Sequence, residues 1–270
     1  MAYQPPVMVP NETVAKSRIF NSFMLRAHTD KQISTSWVGA ILAFQVILPL
    51  IAIMFVFWMF NGTNPTFGAL NFVMLLLIVL LMGIVYVIVQ GVLVFKLVDR
   101  RDNHFLRDRN LRVGMEEYVA ASALTKQMDL NVERWTMNTI SQGNNDIERS
   151  PLMWAMLVSL IAIIPIVGII FLVYSQAFLT KDVQSHDEKQ RSYNQYFEAS
   201  LMKTGKITQP IYQWQPIPRR DVAIYTILTI LTVGFFLPYW WYVNIQDMNA
   251  HMQNQMEFEN RLVQLLQAEG

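Results

Sequence analysis

Three of the four histidines in this 270-residue chain occupy equivalent places and could together bind a metal ion. His104, His186 and His251 each follow an apolar run and begin a polar, amphipathic segment. Imidazole is a common ligand of divalent transition metals, so three copies that converged on one axis would form such a site. Asp182 and Asp247 stand four residues before His186 and His251, so each pair shares one helical face.

The same Asp/His pattern also has a simpler explanation that involves no metal ion. An aspartate and a histidine four residues apart at the start of a helix interact locally, and the aspartate suits the positive end of the helix dipole. A duplicated ancestral segment would repeat this pair without any function. We therefore predict no metal ion, no cofactor and no catalytic residue. If that prediction is wrong, the candidate ligands are His104, His186, His251, Asp182 and Asp247.

The histidines mark a loose repeat of three units, each a hydrophobic segment followed by an amphipathic helix. Apolar side chains dominate the positions seven, eleven and fifteen residues after each histidine, which are Leu111, Met115 and Val119, then Tyr193, Phe197 and Leu201, then Phe258, Leu262 and Leu266. In the last unit, Phe258, Leu262 and Leu265 form an apolar packing seam on one helical face. We expect this seam to pack against another copy of the repeat, a second protomer or another subunit.

Four apolar runs are typical of an integral membrane protein. They contain no Asp, Glu, Lys, Arg or His, and each exceeds the roughly 20 residues that cross a bilayer as a helix. The runs are Trp37–Phe60, Ala69–Phe95, Leu152–Leu179 and Val222–Val243. The sequence therefore predicts an all-α integral membrane protein with four hydrophobic segments and three amphipathic cytoplasmic helices.

The distribution of positive charge indicates the topology. The segments before the first run, after the second and after the third carry four, nine and seven Lys and Arg, and such segments favour the cytoplasm. Four simple crossings would place residues 180–221 outside, against this rule. Pro165 with Gly168, and Gly234 with Pro238, interrupt the last two runs, so these are either kinked spans or re-entrant hairpins. Re-entry would leave both termini in the cytoplasm, below a transmembrane hairpin formed by the first two runs.

These features divide the chain into six parts. They are a cytoplasmic N-terminal segment (1–36), a transmembrane hairpin (37–95), a long cytoplasmic helical segment (96–151), a hydrophobic segment with an amphipathic helix (152–203), a Pro-rich linker (204–221), and a second hydrophobic segment with the C-terminal amphipathic helix (222–270).

The fourth apolar run carries a pattern of small and aromatic residues. It consists of Thr232-Val233-Gly234, then Tyr239-Trp240-Trp241-Tyr242, then Asp247-Met248-Asn249. Over residues 222–251 this pattern resembles an uncharacterised family of small bacterial and archaeal membrane proteins, which have a Thr-x-Gly turn, an aromatic-Trp-aromatic run and a short polar helix. Pro238 departs from that pattern. The resemblance implies a prokaryotic membrane protein and implies no activity.

Several classes of function lack their usual signals. The chain has no cysteine, which excludes disulfides and thiolate chemistry, and its net charge of +1 indicates no attraction to nucleic acid. Phosphate-binding loops, His-Glu-x-x-His motifs and serine nucleophile elbows are absent from the sequence. No Asp, Glu, Lys, Arg or His lies within the apolar runs, which argues against proton relays and ion-coupled transport.

We therefore predict a non-catalytic scaffold or accessory subunit of the cell membrane. It would span the membrane more than once, contact lipids, and form a homo-oligomer or hold a partner subunit through its cytoplasmic helices. The alternative is a metal-dependent membrane enzyme, or a homo-oligomeric channel, that uses the repeated Asp/His positions.

Overall fold

Eight α-helices make up most of the computed structural model, which describes residues 11–61, 65–142, 148–160 and 163–269. They are α1 (Glu12–Thr29), α2 (Ser36–Asn61), α3 (Pro65–Lys126), α4 (Asn131–Gln142), α5 (Pro151–Ser159), α6 (Pro165–Lys203), α7 (Val222–Leu231) and α8 (Leu237–Ala268). No strand occurs among the described residues, so the all-α prediction is confirmed. The first ten residues of the predicted N-terminal segment lie outside this description.

Three of these helices, α2, α3 and α6, are long and apolar enough to cross a membrane. This agrees with the prediction of a membrane protein. The fourth apolar run contributes no helix of this kind, because it is divided between α7, which has ten residues, and the first turns of α8. At 1.5 Å per residue α7 is about 15 Å long, half the thickness of the hydrocarbon core.

The amphipathic segments are not separate helices, as the sequence had suggested, but direct continuations of the apolar ones. Helix α3 contains 62 residues and is about 93 Å long. Helices α6 and α8 likewise run from an apolar beginning into a polar half. The physical reason is that neither proline nor glycine stands between the apolar and polar parts of any of the three, so nothing interrupts their backbone hydrogen bonds. Three continuous helices therefore connect the apolar region to a polar helical bundle.

The third and fourth apolar runs are each broken near the middle, at slightly different places from those predicted. Pro165 is at the first position of α6, where a backbone N–H has no partner within the helix, so the missing N–H of proline loses no hydrogen bond. Gly168 is buried inside α6 and does not interrupt the helix. The break in the fourth run contains Gly234, whose φ of 89° lies in the left-handed region that glycine adopts readily. Pro238 follows in the first turn of α8.

An ion pair closes the base of each broken run. Arg149, just before α5, places Nε 3.3 Å from Oδ2 of Asp182 on α6. Arg220, just before α7, donates two hydrogen bonds of 3.0 and 3.1 Å to the Asp247 carboxylate on α8. The start of each run therefore lies beside its end, and each run is a helical hairpin.

The polar halves of α3, α6 and α8 pack around a shared hydrophobic core together with α1 and α4. All nine apolar positions of the proposed repeat are buried in this core, namely Leu111, Met115, Val119, Tyr193, Phe197, Leu201, Phe258, Leu262 and Leu266. Of the packing seam, Phe258 and Leu262 are fully buried and Leu265 packs against the same core while partly exposed. The seam is therefore covered by other helices of the same chain. Of the three partners expected for it, the structure shows the first, which is another copy of the proposed repeat.

Candidate metal centre

His104 on α3, His186 on α6 and His251 on α8 meet inside the bundle. Each offers a ring nitrogen within 4.8 Å of the others, and all three side chains are completely buried. They follow the ends of their apolar runs by nine, seven and eight residues, which is about 10–14 Å of helix. Because the three helices leave the apolar region together, these similar offsets place the imidazoles at one level.

The closest pair in this cluster is His104 and His251. Their Nε2 atoms are 3.1 Å apart, and their rings are nearly perpendicular, at 87°. His186 completes the triangle, with its ring centre 5.5 Å from that of His104 and 5.1 Å from that of His251. The cluster therefore brings together imidazole rings from three helices.

In both His104 and His251, the second ring nitrogen, Nδ1, faces a carboxylate. Nδ1 of His251 is 2.9 Å from Oδ1 of Asp187, and Nδ1 of His104 is 3.1 Å from Oδ1 of Asp30. Asp187 lies on α6 and Asp30 follows α1, so each carboxylate comes from a different element than its histidine. An ionised carboxylate only accepts hydrogen bonds, so it favours a proton on Nδ1 and leaves the Nε2 lone pair free to bind a cation.

Both carboxylates are held by other hydrogen-bond donors, which supports their role as acceptors. The indole N–H of Trp214 donates to Oδ1 of Asp187 at 3.0 Å, and the backbone N–H of Ile217 donates to Oδ2 at 3.2 Å. Arg107 donates to both oxygens of Asp30, at 3.1 and 2.7 Å. Burial raises the pKa of the Asp30 carboxyl, but His104 and Arg107 outweigh burial and hold that pKa well below its usual range. Asp30 is therefore a carboxylate at neutral pH.

His186 has a different environment. Its Nε2 is 3.5 Å from Oδ2 of Asp108 on α3, and its ring stacks on Phe105 with centres 4.0 Å apart. Asp108 is positioned by Arg112, at 3.1 Å, and by the side-chain amide of Gln255, which donates at 2.9 Å. Each of the three histidines thus has a buried carboxylate beside it.

This arrangement creates an electrostatic requirement at the centre of the cluster. If His104 and His251 are both neutral and both carry their proton on Nδ1, their Nε2 lone pairs point toward one another across 3.1 Å. Two facing lone pairs repel, and water cannot separate them because both rings are fully buried. A proton moved from Nδ1 to Nε2 of one ring would remove this repulsion, but it would leave the Nδ1 lone pair of that ring against its carboxylate. A cation between the two nitrogens, either a shared proton or a metal ion, removes the repulsion and keeps both Nδ1 protons.

The spacing of the two nitrogens suits a metal ion. Bonds of about 2.0–2.1 Å to zinc place two cis nitrogens about 2.9 Å apart at a right angle and about 3.3 Å apart at the tetrahedral angle. The observed 3.1 Å lies between these values. The carboxylate–histidine pairs also match the usual environment of metal-binding imidazoles, in which the distal N–H is held by a carboxylate.

The two carboxylates singled out in the sequence are used elsewhere. Asp182 lies 2.7 Å from an Arg101 guanidinium nitrogen and also contacts Arg149, while Asp247 binds Arg220. Among the described residues, the candidate metal group contains the three histidines and neither of these aspartates. Asp182 and Asp247 therefore close the helical hairpins.

Sequence reasoning missed the carboxylates that do face the histidines. Asp187 directly follows His186, and neighbours on a helix point about 100° apart, so His186 and Asp187 face different helices. The adjacency of His186 and Asp187 was the one feature of the sequence that could have indicated this role, since a buried His-Asp pair can contact two neighbouring helices. Asp30 is 74 positions before His104, and no local pattern connects them.

Comparison of the chain with protein-family models, curated proteins and solved structures finds no match. The resemblance to the prokaryotic membrane family therefore stays a prediction, and the assignment of function rests on the geometry of the histidine cluster.

Proposed function

We propose that this protein is an integral membrane metalloprotein that binds a divalent transition-metal ion through His104, His186 and His251. The observation that carries the proposal is the pair of Nε2 atoms 3.1 Å apart, each on a ring whose Nδ1 faces a buried carboxylate. This choice reverses the expectation from the sequence, in which the Asp/His repeat was read as local pairing without a metal.

The donor set limits which metal would bind. Three imidazoles without thiolates favour zinc, iron, copper or nickel over magnesium and calcium, which prefer oxygen ligands. Asp30 and Asp187 would make the His104 and His251 nitrogens more basic and fix their orientation. Three protein ligands leave a fourth tetrahedral position, the arrangement found in catalytic rather than purely structural zinc sites.

His186 would complete the coordination by a small movement. Ring nitrogens up to 4.8 Å apart must approach by as much as about 1.5 Å to reach tetrahedral spacing. A shift of this size is compatible with a ring held by stacking on Phe105 and by a 3.5 Å contact to Asp108. His186 therefore serves as the third ligand.

The competing explanation is a proton shared between His104 and His251, which also satisfies two facing lone pairs. Chelation followed by reloading separates the two. The purified protein is treated with a strong chelator, reloaded with Co²⁺ or Zn²⁺, and followed by thermal unfolding and by the visible spectrum of Co²⁺. A bound metal at 100 times its dissociation constant stabilises the fold by about 2.7 kcal/mol.

We expect a stabilised protein and a Co²⁺ spectrum of nitrogen ligation in the wild type and in His28→Gln, the matched control. His28 is exposed and lies outside the cluster. Both signals should be lost in His104→Gln and His251→Gln. If metal ions change neither the spectrum nor the stability of the wild type, the centre holds a proton and the metalloprotein proposal is wrong.

The membrane topology belongs to the same proposal. We infer that the α5–α6 and α7–α8 hairpins enter the membrane and return on the same side, below a transmembrane hairpin of α2 and α3. The support is that residues at the two ends of each run form an ion pair, Arg149 with Asp182 and Arg220 with Asp247. Both termini and the histidine cluster would then face the cytoplasm.

A scaffold or oligomeric subunit is the second proposal, and it is now supported by a different surface from the packing seam of α8. The packing seam of α8 is covered within the chain and no longer requires a partner. Apolar surface remains at α4, where Val132 and Trp135 are 71% and 69% exposed. A second copy of the chain could cover that face. Light scattering on the wild type and on Val132→Ser/Trp135→Ser would test this, since an unchanged mass in the double variant would exclude α4 as the contact.

A further inference from the structure

A polar cleft lies beside α6, at the level where this helix leaves its apolar part. Its volume is about 570 Å³, and it is bounded by α6 and by the segment Pro216–Arg220 that precedes α7. Lys181 is two residues beyond the end of the third apolar run, and Arg220 is two residues before the fourth run begins. In the proposed topology the cleft therefore opens at the membrane surface, at the depth of lipid headgroups.

One face of α6 lines the cleft with hydrogen-bond donors. Lys181, Gln184 and Arg191 follow a helical stripe with spacings of three and seven residues. Nε2 of Gln184 and Nε of Arg191 are buried nitrogen atoms without a hydrogen-bond partner. A buried donor without an acceptor costs free energy. The cleft is therefore suited to a ligand that brings several acceptor oxygens.

The charges around the cleft indicate that this ligand is an anion. Arg219 pairs with Glu188 in an exposed contact, and Arg220 is bound by Asp247. Neither Lys181 nor Arg191 forms an ion pair with another residue in the part of the chain that the structure describes. The carboxylate of Asp187 also lines the cleft, but it is held by Trp214, Ile217 and His251. Lys181 and Arg191 thus face the cleft without a carboxylate of their own, and a phosphate group would supply both the negative charge and the acceptor oxygens.

We propose that this cleft binds the headgroup of an anionic phospholipid. Its phosphate and the other oxygens of its headgroup would together accept hydrogen bonds from Lys181, Gln184 and Arg191, which span about 15 Å of α6. Its acyl chains would extend along the apolar parts of α6 and α7. A lipid is chosen over a free phosphate compound because the cleft lies between two apolar runs. The proposal does not depend on metal binding.

The test is a lipid titration of the purified full-length protein in detergent, followed by native mass spectrometry. Phosphatidylglycerol, phosphatidylcholine and inorganic phosphate are the three probes. The variant is Lys181→Gln/Arg191→Gln, and the matched control is Arg109→Gln/Lys126→Gln. The control removes two basic residues that are exposed and lie outside the cleft.

We expect the wild type and the control to bind phosphatidylglycerol more tightly than phosphatidylcholine. The cleft variant should bind phosphatidylglycerol roughly tenfold to thirtyfold more weakly, with phosphatidylcholine binding unchanged. Equal binding of the two lipids by the wild type, or an unchanged preference in the cleft variant, would overturn the proposal. If inorganic phosphate competes fully with phosphatidylglycerol at millimolar concentration, the cleft recognises a soluble phosphate and the lipid assignment is wrong.

Discussion

His104 and His251 are 147 positions apart in the chain, and their Nε2 atoms are 3.1 Å apart in the fold. The contact joins the polar halves of α3 and α8, two helices that begin in the apolar region. Asp30 and Asp187 face the outer nitrogens of these rings. The relationship therefore depends on four elements of the chain, which are α3, α6, α8 and the residues that follow α1.

Asp187→Asn should weaken metal binding without removing a ligand. The amide retains the size of the carboxylate but loses its charge, so His251 is less basic and less firmly oriented. Replacing such an outer partner typically costs 10–100-fold in metal affinity. The measurement is a competition titration with a chromophoric chelator. Asp182→Asn is the control, because Asp182 pairs with Arg101 and Arg149; equal losses in both variants would contradict the assigned role of Asp187.

Leu262→Ala and Leu265→Ala should differ in their cost to stability. Leu262 is completely buried in the bundle core, whereas Leu265 is partly exposed. Truncating a buried leucine usually costs about 2–5 kcal/mol, because transfer energy is lost and a cavity forms. Thermal unfolding followed by circular dichroism should show the larger loss for Leu262→Ala. The molecular mass by light scattering should be equal in both variants; dissociation caused by Leu262→Ala would indicate an intermolecular seam.

A cysteine placed at Ser192 should react only with reagents added from the cytoplasmic side. Ser192 lies on α6, beyond the Arg149–Asp182 ion pair that closes the α5–α6 hairpin. Native cysteine is absent, so the wild type gives no background. Ser34→Cys in the N-terminal segment is the comparison, and both variants should be labelled from the same side. Labelling of Ser192→Cys from outside intact cells would mean that the hairpin spans the membrane.

Much of the architecture could be predicted from the sequence because it follows from local physical chemistry. Uncharged runs, proline and glycine at the hairpin turns, and a helical apolar period are all visible along the chain. The buried positions seven, eleven and fifteen residues after each histidine were also recognisable, since Leu111, Tyr193 and Phe258 share one core. Helix continuity was missed, because we assigned a boundary wherever hydrophobicity changed, although hydrophobicity alone does not end a helix.

The candidate site could be predicted only in part. The three histidines were identified by their equivalent places, but their partners were not, because a pair such as Asp30 and His104 depends on how α1 packs against α3. The preference for local i, i+4 pairing assigned Asp182 and Asp247 to the histidines. In the fold those carboxylates bind arginines that precede the hairpins. Such long-range ion pairs cannot be recognised from the spacing of residues in the sequence.

Elemental analysis of the purified protein tests the central claim most directly. The full-length chain, extracted under metal-free conditions, is compared with His104→Gln/His186→Gln/His251→Gln and with His28→Gln. The account predicts an equimolar amount of zinc, iron, copper or nickel in the wild type and in His28→Gln, and its loss in the triple variant. Metal-free wild-type protein that also fails to take up these ions from buffered solution would contradict it, as would full retention of metal by the triple variant.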